Sequence, residues 1–222
     1  MSTRLRIGAR GWEHGSWDSS FYPQGLPPEW RLTYYANAFR AVLVPAERLA
    51  ASTPAEVAGW AGDVHSGFLF FAELAAAGEA DLDAWLDRVA PLGERLGGLV
   101  LRSGAGQLSP ARVSALSGRW ALASLAASVA SVASVASADP AAGGDPPGSP
   151  PVPPVWRPGS GAASCVGLLD GEPRGPRELR QVIEAFGAAS AGCAEALLCF
   201  PGTPGAWQEM ERAQVIAGLL GG

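Results

Sequence analysis

The sequence predicts an α/β fold in which parallel strands alternate with helices. Short apolar runs recur along the first part of the chain, up to about residue 125, and segments with helical spacing of apolar residues separate them. Two more units of the same kind follow near the carboxyl end. This order favours parallel pairing, because a parallel connection has to cross the length of a strand and usually does so as a helix.

Composition sets the first limits on function. The chain has 222 residues, of which 48% are hydrophobic, enough to form a sizeable core. All 16 basic residues are Arg, which excludes lysine Schiff-base chemistry and a phosphate-loop lysine. The net charge of −5 disfavours broad attraction to nucleic acid or to an anionic membrane. We therefore expect neither of them among the partners.

The distribution of apolar residues and cysteines bears on location. The sequence contains no uninterrupted apolar run of the roughly 18 residues that a membrane span needs, and residues 1–12 carry three Arg but no apolar signal segment. We expect a cytoplasmic protein. Cys165, Cys193 and Cys199 lie in or beside apolar runs and form no C-x-x-C pair, so buried reduced thiols are expected rather than a disulfide or a metal site.

Apolar runs predict seven strands, five before residue 126 and two after residue 158. The run at residues 68–74 is apolar almost throughout, as in a strand that is buried on both faces. The predicted strands are residues 5–8, 41–44, 68–74, 98–102, 120–125, 164–169 and 196–200.

Helical spacing and capping signals predict the segments between the strands. In residues 29–39, Trp30, Tyr34 and Phe39 are expected to share one buried face. Thr53 and Glu56 form a capping box with Pro at the first helical position, which predicts a helix over residues 54–61. Further helices are expected at residues 81–95, 176–189 and 205–220, with a short one opening at residue 109.

Residues 126–158 break the alternation of strands and helices. A Ser-Val-Ala triplet recurs first, and residues 139–158 then contain 8 of the chain's 19 prolines. A period of three fits neither a helix nor a strand. The composition predicts a disordered or polyproline-like connector, with a frayed strand or helix allowed at residues 129–135.

The opening of the chain carries a family motif. Ile7-Gly8-Ala9-Arg10-Gly11-Trp12 is followed by Trp17 and by Phe21-Tyr22-Pro23-Gln24-Gly25-Leu26-Pro27. This pattern resembles the start of the bacterial YecE-like family, also called domain of unknown function 72, which typically reads IGTSGW and then W…FYP-x-G-L-P. The likeness covers nearly everything except residues 126–158, through matching pieces at residues 34–39, 54–60, 67–70, 92–97 and 199–220.

The resemblance implies a TIM-type β/α barrel, shortened and divergent, and incomplete or distorted here. Residues 1–125 would form the first part of this barrel, residues 126–158 the connector, and residues 159–222 the closing units. The activity of the family is not established, so the resemblance implies a fold without a reaction.

The chain departs from the family pattern at the carboxyl ends of strands, where such barrels carry their chemistry. A V-E-I-N run is replaced by Val42-Leu43-Val44-Pro45, and a V-K-A-like run by Ala72-Glu73-Leu74. A Gln gives way to Arg102, an L-H-G-like run to Leu169-Asp170-Gly171, and an F-N-N-like run to Phe200-Pro201-Gly202. Compared with the family, polar site residues are lost while residues that shape the scaffold are kept.

The remaining polar motifs do not indicate a cofactor. His14 and His65 lie in predicted loops without a Cys or His at ligand spacing, so we expect solvent-facing histidines and no metal. Gly104-Ala105-Gly106 lacks the third glycine of a dinucleotide fingerprint and is read as a tight turn. No cofactor is expected.

Charged residues at the predicted strand ends are the candidate ligand-binding site. They are Arg10, Glu73, Arg102 and Asp170, with Glu172 close by. Two guanidinium groups suit a phosphate or carboxylate, and two carboxylates suit acid–base work. Alternatively, Glu73 and Arg102 neutralise each other on adjacent strands, as a partly exposed pair of small energetic value.

Trp12 and Trp17 follow the first strand in a loop bounded by glycines. They are expected either to line a pocket at the strand ends or to cap the barrel. Trp30, Trp60 and Trp85 occur at helical spacing and are expected in the core.

Three functions remain open at this stage. The first is a non-catalytic YecE-like barrel that has lost the family's polar site and has a binding or partner role, with no catalytic residue. The second is an enzyme with a remodelled site that acts on a small anionic substrate. The third is a decaying gene product with no retained role.

Overall fold

One sheet of eight strands runs through the protein. The computed structural model describes residues 3–75, 79–101, 122–124, 155–156, 164–169 and 173–220. Within these residues the strands are β1 (Arg4–Arg10), β2 (Ala41–Val44), β3 (Leu69–Leu74), β4 (Leu96–Leu101), β5 (Leu122–Ser124), β6 (Val155–Trp156), β7 (Ser164–Leu168) and β8 (Glu195–Phe200). Each predicted strand is thereby confirmed to within a few residues at its ends.

Six α-helices accompany the described strands. They are α1 (Arg31–Ala38), α2 (Ala46–Ala50), α3 (Pro54–Gly62), α4 (Glu79–Val89), α5 (Pro176–Ala189) and α6 (Ala206–Leu220). Two further segments, Pro28–Trp30 and Ala90–Arg95, are 3-10 helices that precede α1 and follow α4. The capping box of α3 is present as predicted, because the Thr53 side chain accepts from the Glu56 amide and the Glu56 carboxylate accepts from the Thr53 amide.

The sheet curls into a nearly closed barrel. Its strand order is β5-β4-β3-β2-β1-β8-β7-β6, and every neighbouring pair is parallel except β6 with β7. The Ser164 hydroxyl of β7 donates to the Gly97 carbonyl of β4 at 2.7 Å, although these strands are not neighbours in the sheet. The two arms of the sheet therefore meet, and the incomplete TIM-type barrel expected from the family resemblance is confirmed.

Two apolar layers stabilise the barrel. Alternate residues of each strand point inward or outward, as strand geometry requires. The inward layer fills the barrel with Ala41, Leu43, Phe71, Val100, Val166, Leu197 and Cys199. The outward layer, which includes Phe70 and Ala72, packs under the helices. Phe70 and Phe71 are both fully buried, so β3 has the two-sided burial that its apolar sequence predicts.

The buried face of α1 differs from the prediction. Leu32, Tyr35 and Ala36 face the core, whereas Trp30 is 60% exposed and Tyr34 lies at the surface. The reason is that residues 28–30 form a 3-10 turn before the α-helix begins, which rotates the helical register relative to the predicted one. Trp60 is buried as predicted, and Trp85 is only partly buried against the core.

Most of the predicted connector, residues 126–158, lies outside the described residues. Two of its residues differ from the prediction, because Val155–Trp156 pair with β7 as a short antiparallel strand. Residues 104–106 and the short helix predicted at residue 109 also lie outside the described part. No helix among the described residues is long and apolar enough to span a membrane.

The prediction of three reduced thiols was wrong for two of them. Cys165 on β7 and Cys193 in the loop before β8 form a disulfide, with their Cα atoms 6.3 Å apart. The sequence separation of 28 hides this proximity, because α5 returns the chain to the same end of the sheet before β8 begins. Cys199 is a buried free cysteine, as predicted.

We expect thiol titration of the unfolded, unreduced protein to count one thiol, that of Cys199, because the other two cysteines are bonded to each other. Titration after reduction should count all three cysteines of the chain. Cys193→Ser provides the control, since it should release Cys165 and give two thiols without reduction. Three thiols in the unreduced wild type would contradict the bond.

Candidate functional site

The candidate site lies at the carboxyl ends of β1, β2 and β3, which open at one mouth of the barrel. Arg10 is the last residue of β1, and Glu73 is the last residue but one of β3. Both side chains take inward positions of their strands, so they meet above the apolar interior. In between, β2 ends at Val44 and is followed by Pro45 and helix α2.

Arg10 and Glu73 form a two-pronged ion pair across the end of β2. Nε of Arg10 donates to Oε1 of Glu73 at 2.7 Å, and a terminal guanidinium nitrogen donates to Oε2 at 2.8 Å. Glu73 is only 1% exposed, whereas the Arg10 side chain is 32% exposed. This parallel geometry is the strongest form of an arginine–carboxylate contact.

Further contacts fix the pair in place. Arg10 also pairs with Glu47 of α2 at 2.9 Å, and the Ala46 amide donates to Oε2 of Glu73 at 3.3 Å. The hydrogen bonds from Arg10 to Glu73 raise the pKa of the guanidinium above its ordinary value, although burial acts against them. Arg10 is therefore a permanent cation whose charge is balanced by two carboxylates.

The predicted partner of Glu73 was Arg102, which lies outside the described residues, as do Asp170 and Glu172. The described partner is Arg10, which is also one of the predicted site residues. The partial exposure expected for Glu73 was wrong, because this residue lies inside the barrel rather than at its rim. Sequence spacing places Glu73 near the end of β3 but does not reveal that α2 covers it.

Trp12 lies beside this mouth in an aromatic corner. Its ring meets Trp60 of α3 edge to face, with 5.2 Å between the ring centroids. The Arg48 guanidinium lies 5.0 Å from the Trp60 ring and 5.9 Å from the Trp12 ring, and it pairs with Glu13 at 2.8 Å. The Trp12 ring is buried against the core and also borders the mouth cavity, and its part in ligand binding stays a prediction.

Trp17 has a structural position instead. It is fully buried, stacks on Tyr35 and contacts Phe21, and its indole N–H donates to the Thr203 carbonyl at 3.1 Å. Thr203 follows β8, so Trp17 ties the loop after β1 to the loop after β8. Its role as a ligand-binding residue is not supported by this position, whereas the alternative, capping the barrel, fits it.

His14 is the site residue that the sequence did not reveal. It was expected to face solvent, but its ring packs edge to face on Trp17, with 4.5 Å between centroids, and its Nε2 lies 3.2 Å from the Gly11 carbonyl. A Cβ at Gly202 would overlap the His14 ring. The Gly202 that stands in place of the family's amide residue thus gives the ring its room, and Gly11 turns the chain toward it with a φ of +85°.

A cavity of about 260 Å³ opens at the mouth. Acidic and basic side chains line it together with uncharged ones. The lining includes Arg10, Trp12, Glu13, His14, Pro45, Glu47 and Arg48. Glu73 and Trp17 do not belong to this lining. A second cavity, of about 230 Å³, lies on the other side of Trp12 and Arg48, against α3. The mouth therefore holds a small mixed-charge pocket in which each arginine has a carboxylate partner.

The groups that could act as nucleophile or metal ligands offer little chemistry here. Burial raises the pKa of the Cys199 thiol, and the nearby Glu73 charge raises it further, so the thiol inside the barrel stays protonated. The described residues hold no group of three or more His, Cys, Asp or Glu side chains placed to bind a metal ion.

Comparison with known proteins shows which family the chain resembles. The model of the family described as protein of unknown function DUF72 matches residues 6–108. The structure is similar to that of a DUF72 family protein from Thermotoga maritima, with a TM-score of 0.61 and 15% sequence identity over 98% of this chain and 99% of that chain. The chain is therefore similar to the DUF72 family in sequence over residues 6–108 and in fold over almost its whole length.

A DUF72 family protein from Enterococcus faecalis is similar to the same degree. Its TM-score is 0.61 at 15% identity, over 97% of this chain and 98% of that chain. No curated protein matches the sequence. At these identities the structures establish the barrel fold alone.

The Arg10–Glu73 pair yields a stability prediction. Arg10→Met should lower the free energy of unfolding by about 3 kcal/mol, because it leaves the Glu73 charge buried without its cation. The double variant Arg10→Met/Glu73→Leu should recover much of that loss, since it removes both charges. Denaturant unfolding measures all three proteins. As a control, Arg180→Met breaks an exposed pair with Glu184 and should cost at most about 0.5 kcal/mol. A double variant no more stable than Arg10→Met would contradict this account.

The half-buried position of His14 yields a pH prediction. Burial lowers its pKa below the ordinary value of about 6.5, so the unfolded chain binds a proton more readily than the folded protein does. The stability should therefore fall as the pH decreases through about 6.5, and His14→Gln should reduce that fall. His65 contributes with the same sign, because its pKa is also lowered. Proton NMR resolves both histidines, and a His14 signal that titrates above pH 6.5 would contradict the prediction.

Proposed function

We propose that this protein is a non-catalytic binding protein whose barrel mouth holds a small polar ligand. The observation that carries the proposal is the mutual pairing of the mouth charges. Glu73 is engaged by Arg10 and by the Ala46 amide, Arg10 also by Glu47, and Arg48 by Glu13. A carboxylate held as a buried salt bridge is a poor general base, because proton transfer to it would break the pair.

The shape and charge of the pocket support a small ligand with both donors and acceptors. The cavity of about 260 Å³ is at the lower end of the range for small-molecule sites. One side of it is the Trp12 ring, and the rim carries the partly exposed Arg10 together with the exposed Glu47. Such a lining suits a small polar molecule that lies against an aromatic ring and hydrogen-bonds to the charged rim.

The second candidate is an enzyme acting on a small phosphate- or carboxylate-bearing substrate. The observation in its favour is that two guanidinium groups, those of Arg10 and Arg48, line the same cavity and are each about one-third exposed. Under this candidate, Arg10 would exchange Glu47 for a substrate anion. Asp170 and Arg102 would join the site as predicted from the sequence.

Location and partners belong to the same proposal. We retain the cytoplasm as the expected compartment, with a small ligand as the expected partner and neither nucleic acid nor a membrane. A disulfide is uncommon in cytosolic proteins. Burial of Cys165 and Cys193 would keep reductant away from the disulfide between them. Alkylation of thiols in intact cells, followed by fractionation, tests the compartment and the bond together.

Equilibrium dialysis against a mixture of small polar metabolites tests the binding proposal. We expect the protein to enrich at least one compound, and the compound to be recovered unchanged, because the paired charges bind without reacting. Arg48→Gln should reduce the enrichment, since Arg48 lines the cavity and supports the Trp12 ring. Glu211→Gln on the exposed face of α6 is the matched control and should not change it.

Two outcomes would overturn the proposal. Conversion of the enriched compound would favour the enzyme, and absence of any enrichment by the wild type would remove the binding role. The His14 NMR signal shows whether an anion binds at the mouth, because His14 lines the mouth. Inorganic phosphate should leave this signal unmoved in the wild type and shift it in Glu73→Gln, where Arg10 is released. A shift in the wild type that Arg10→Gln abolishes would favour the anionic-substrate enzyme.

A further inference from the structure

The lining of the mouth cavity contains four charged side chains of alternating sign. Arg10 and Glu13 come from the end of β1 and the loop after it, and Glu47 and Arg48 are consecutive residues of α2. Arg10 pairs with Glu47 at 2.9 Å, and Arg48 pairs with Glu13 at 2.8 Å. Each of the two elements thus contributes one charge of each sign, and both ion pairs connect one element to the other.

The two ion pairs remain accessible from the solvent. Between 28% and 62% of each of the four side chains is exposed, and Glu47 is the most exposed of them. Ion pairs exposed to this degree contribute little to stability, so their groups can take up a ligand or exchange a partner at low cost. A ligand therefore does not have to break a strong contact in order to bind to these charges.

Arg48 is held less firmly than Arg10. Arg10 donates two hydrogen bonds to Glu73, which fix its guanidinium group. Nε of Arg48 lies 2.8 Å from a carboxylate oxygen of Glu13, yet this buried nitrogen forms no hydrogen bond among the described residues. The contact between Arg48 and Glu13 is therefore an attraction of charges without an aligned hydrogen bond, and Arg48 is the guanidinium group that can turn toward a ligand.

The sum of the charges at the mouth disfavours a ligand of one sign. The two arginines and two glutamates of the lining cancel, and burial lowers the pKa of His14, so that this ring adds no charge at pH 7. Among the described residues, Glu73 behind Arg10 adds one negative charge. A simple anion would lie beside the glutamates, and a simple cation would lie beside the arginines. A ligand that carries both charges meets a partner for each of them.

We infer that the mouth cavity binds a small aliphatic α-amino acid as its zwitterion, with the carboxylate on Arg48 and the ammonium group on Glu47. The inference rests on the proposed binding function and names the class of its ligand. A planar guanidinium group suits a carboxylate, and the three N–H donors of an ammonium group suit the exposed carboxylate of Glu47. Arg10 keeps its contacts with Glu73 and does not take part in the exchange.

The apolar part of the lining selects the side chain of the ligand. Trp12 and Pro45 are the apolar residues with side chains that line the cavity. Their surfaces suit an aliphatic group. The volume of about 260 Å³ is small for a ligand site, which favours a short aliphatic side chain over an aromatic one.

Three compounds with the same aliphatic group test the requirement for both charges. L-Valine carries both charges, isovalerate lacks the ammonium group, and isobutylamine lacks the carboxylate. We expect L-valine to bind at least about tenfold more tightly than either analogue, because each analogue loses one charge-assisted contact. Titration calorimetry measures the affinities. L-Alanine and L-leucine, each with its own two analogues, extend the test to smaller and larger side chains.

The two histidines of the chain show where the amino acid binds. His14 lines the mouth cavity, whereas His65 lies in the loop between α3 and β3 at the opposite end of the barrel. We expect L-valine to move the NMR signal of His14 and to leave that of His65 in place.

Two variants assign the two charges of the ligand. Glu47→Gln should reduce the preference for L-valine over isovalerate about tenfold, because it removes the partner of the ammonium group. Arg48→Gln should reduce the preference for L-valine over isobutylamine to the same degree, because it removes the partner of the carboxylate. Glu211→Gln and Arg212→Gln remove exposed charges on α6 and should leave both preferences unchanged. A variant that fails to fold would lose all three compounds together, and circular dichroism identifies that case.

Three results would overturn the inference. They are a His14 signal that none of the three amino acids moves, an analogue that binds as tightly as its parent amino acid, and folded Glu47→Gln and Arg48→Gln variants that keep both preferences. The proposed binding function is tested separately by the dialysis experiment. Enrichment of a compound that is not a zwitterion would keep the binding function and overturn this inference, whereas absence of any enrichment would remove both.

Discussion

The buried carboxylate of Glu73 is the constraint around which the mouth of the barrel is built. A charge inside the barrel is stable only with a cation and hydrogen bonds, because the desolvation of a lone carboxylate costs several kcal/mol. Arg10 supplies the cation from β1, and the Ala46 amide supplies a further donor from the start of α2. These contacts fix where β1 ends, where α2 begins and which way Arg10 points, and the loop with Trp12 and His14 follows from there.

The inward positions of β1 explain how the barrel separates charge from apolar packing. The inward positions of β1 are those of Arg6, Gly8 and Arg10. Arg6 pairs with Glu195 at the amino-terminal end of the barrel, and Arg10 pairs with Glu73 at the mouth. Gly8 leaves the middle to Phe71, Leu197 and their neighbours. Among the described residues, the interior is apolar, with an ion pair at either end. In the described part of the barrel, the charged side chains of β1 thus lie at the two ends.

The sequence predicts the fold well and the site only in part, for different physical reasons. Apolar runs such as that of β3 and the capping box at Thr53 are local signals, so strands and helices follow from them directly. The pairing of Arg10 with Glu73 depends on the order of strands and on α2 covering their ends, which no local pattern contains. The same holds for His14, whose burial depends on a glycine 188 positions later, at Gly202. Cys165 and Cys193 likewise meet only because α5 folds back.

The pairing of β1 with β8 has a consequence for how the chain acquires its structure during synthesis. β1 is hydrogen-bonded along one side to β2 and along the other to β8, which follows much later in the chain, with contacts such as Arg4 to Glu195 that span 191 positions. Until β8 leaves the ribosome, one edge of β1 is unpaired and the Glu195 that balances Arg6 is absent. Contacts of such long range slow folding and leave an open edge that can pair wrongly. The edge of β1 that pairs with β8 is therefore open to wrong pairing until β8 has been synthesised.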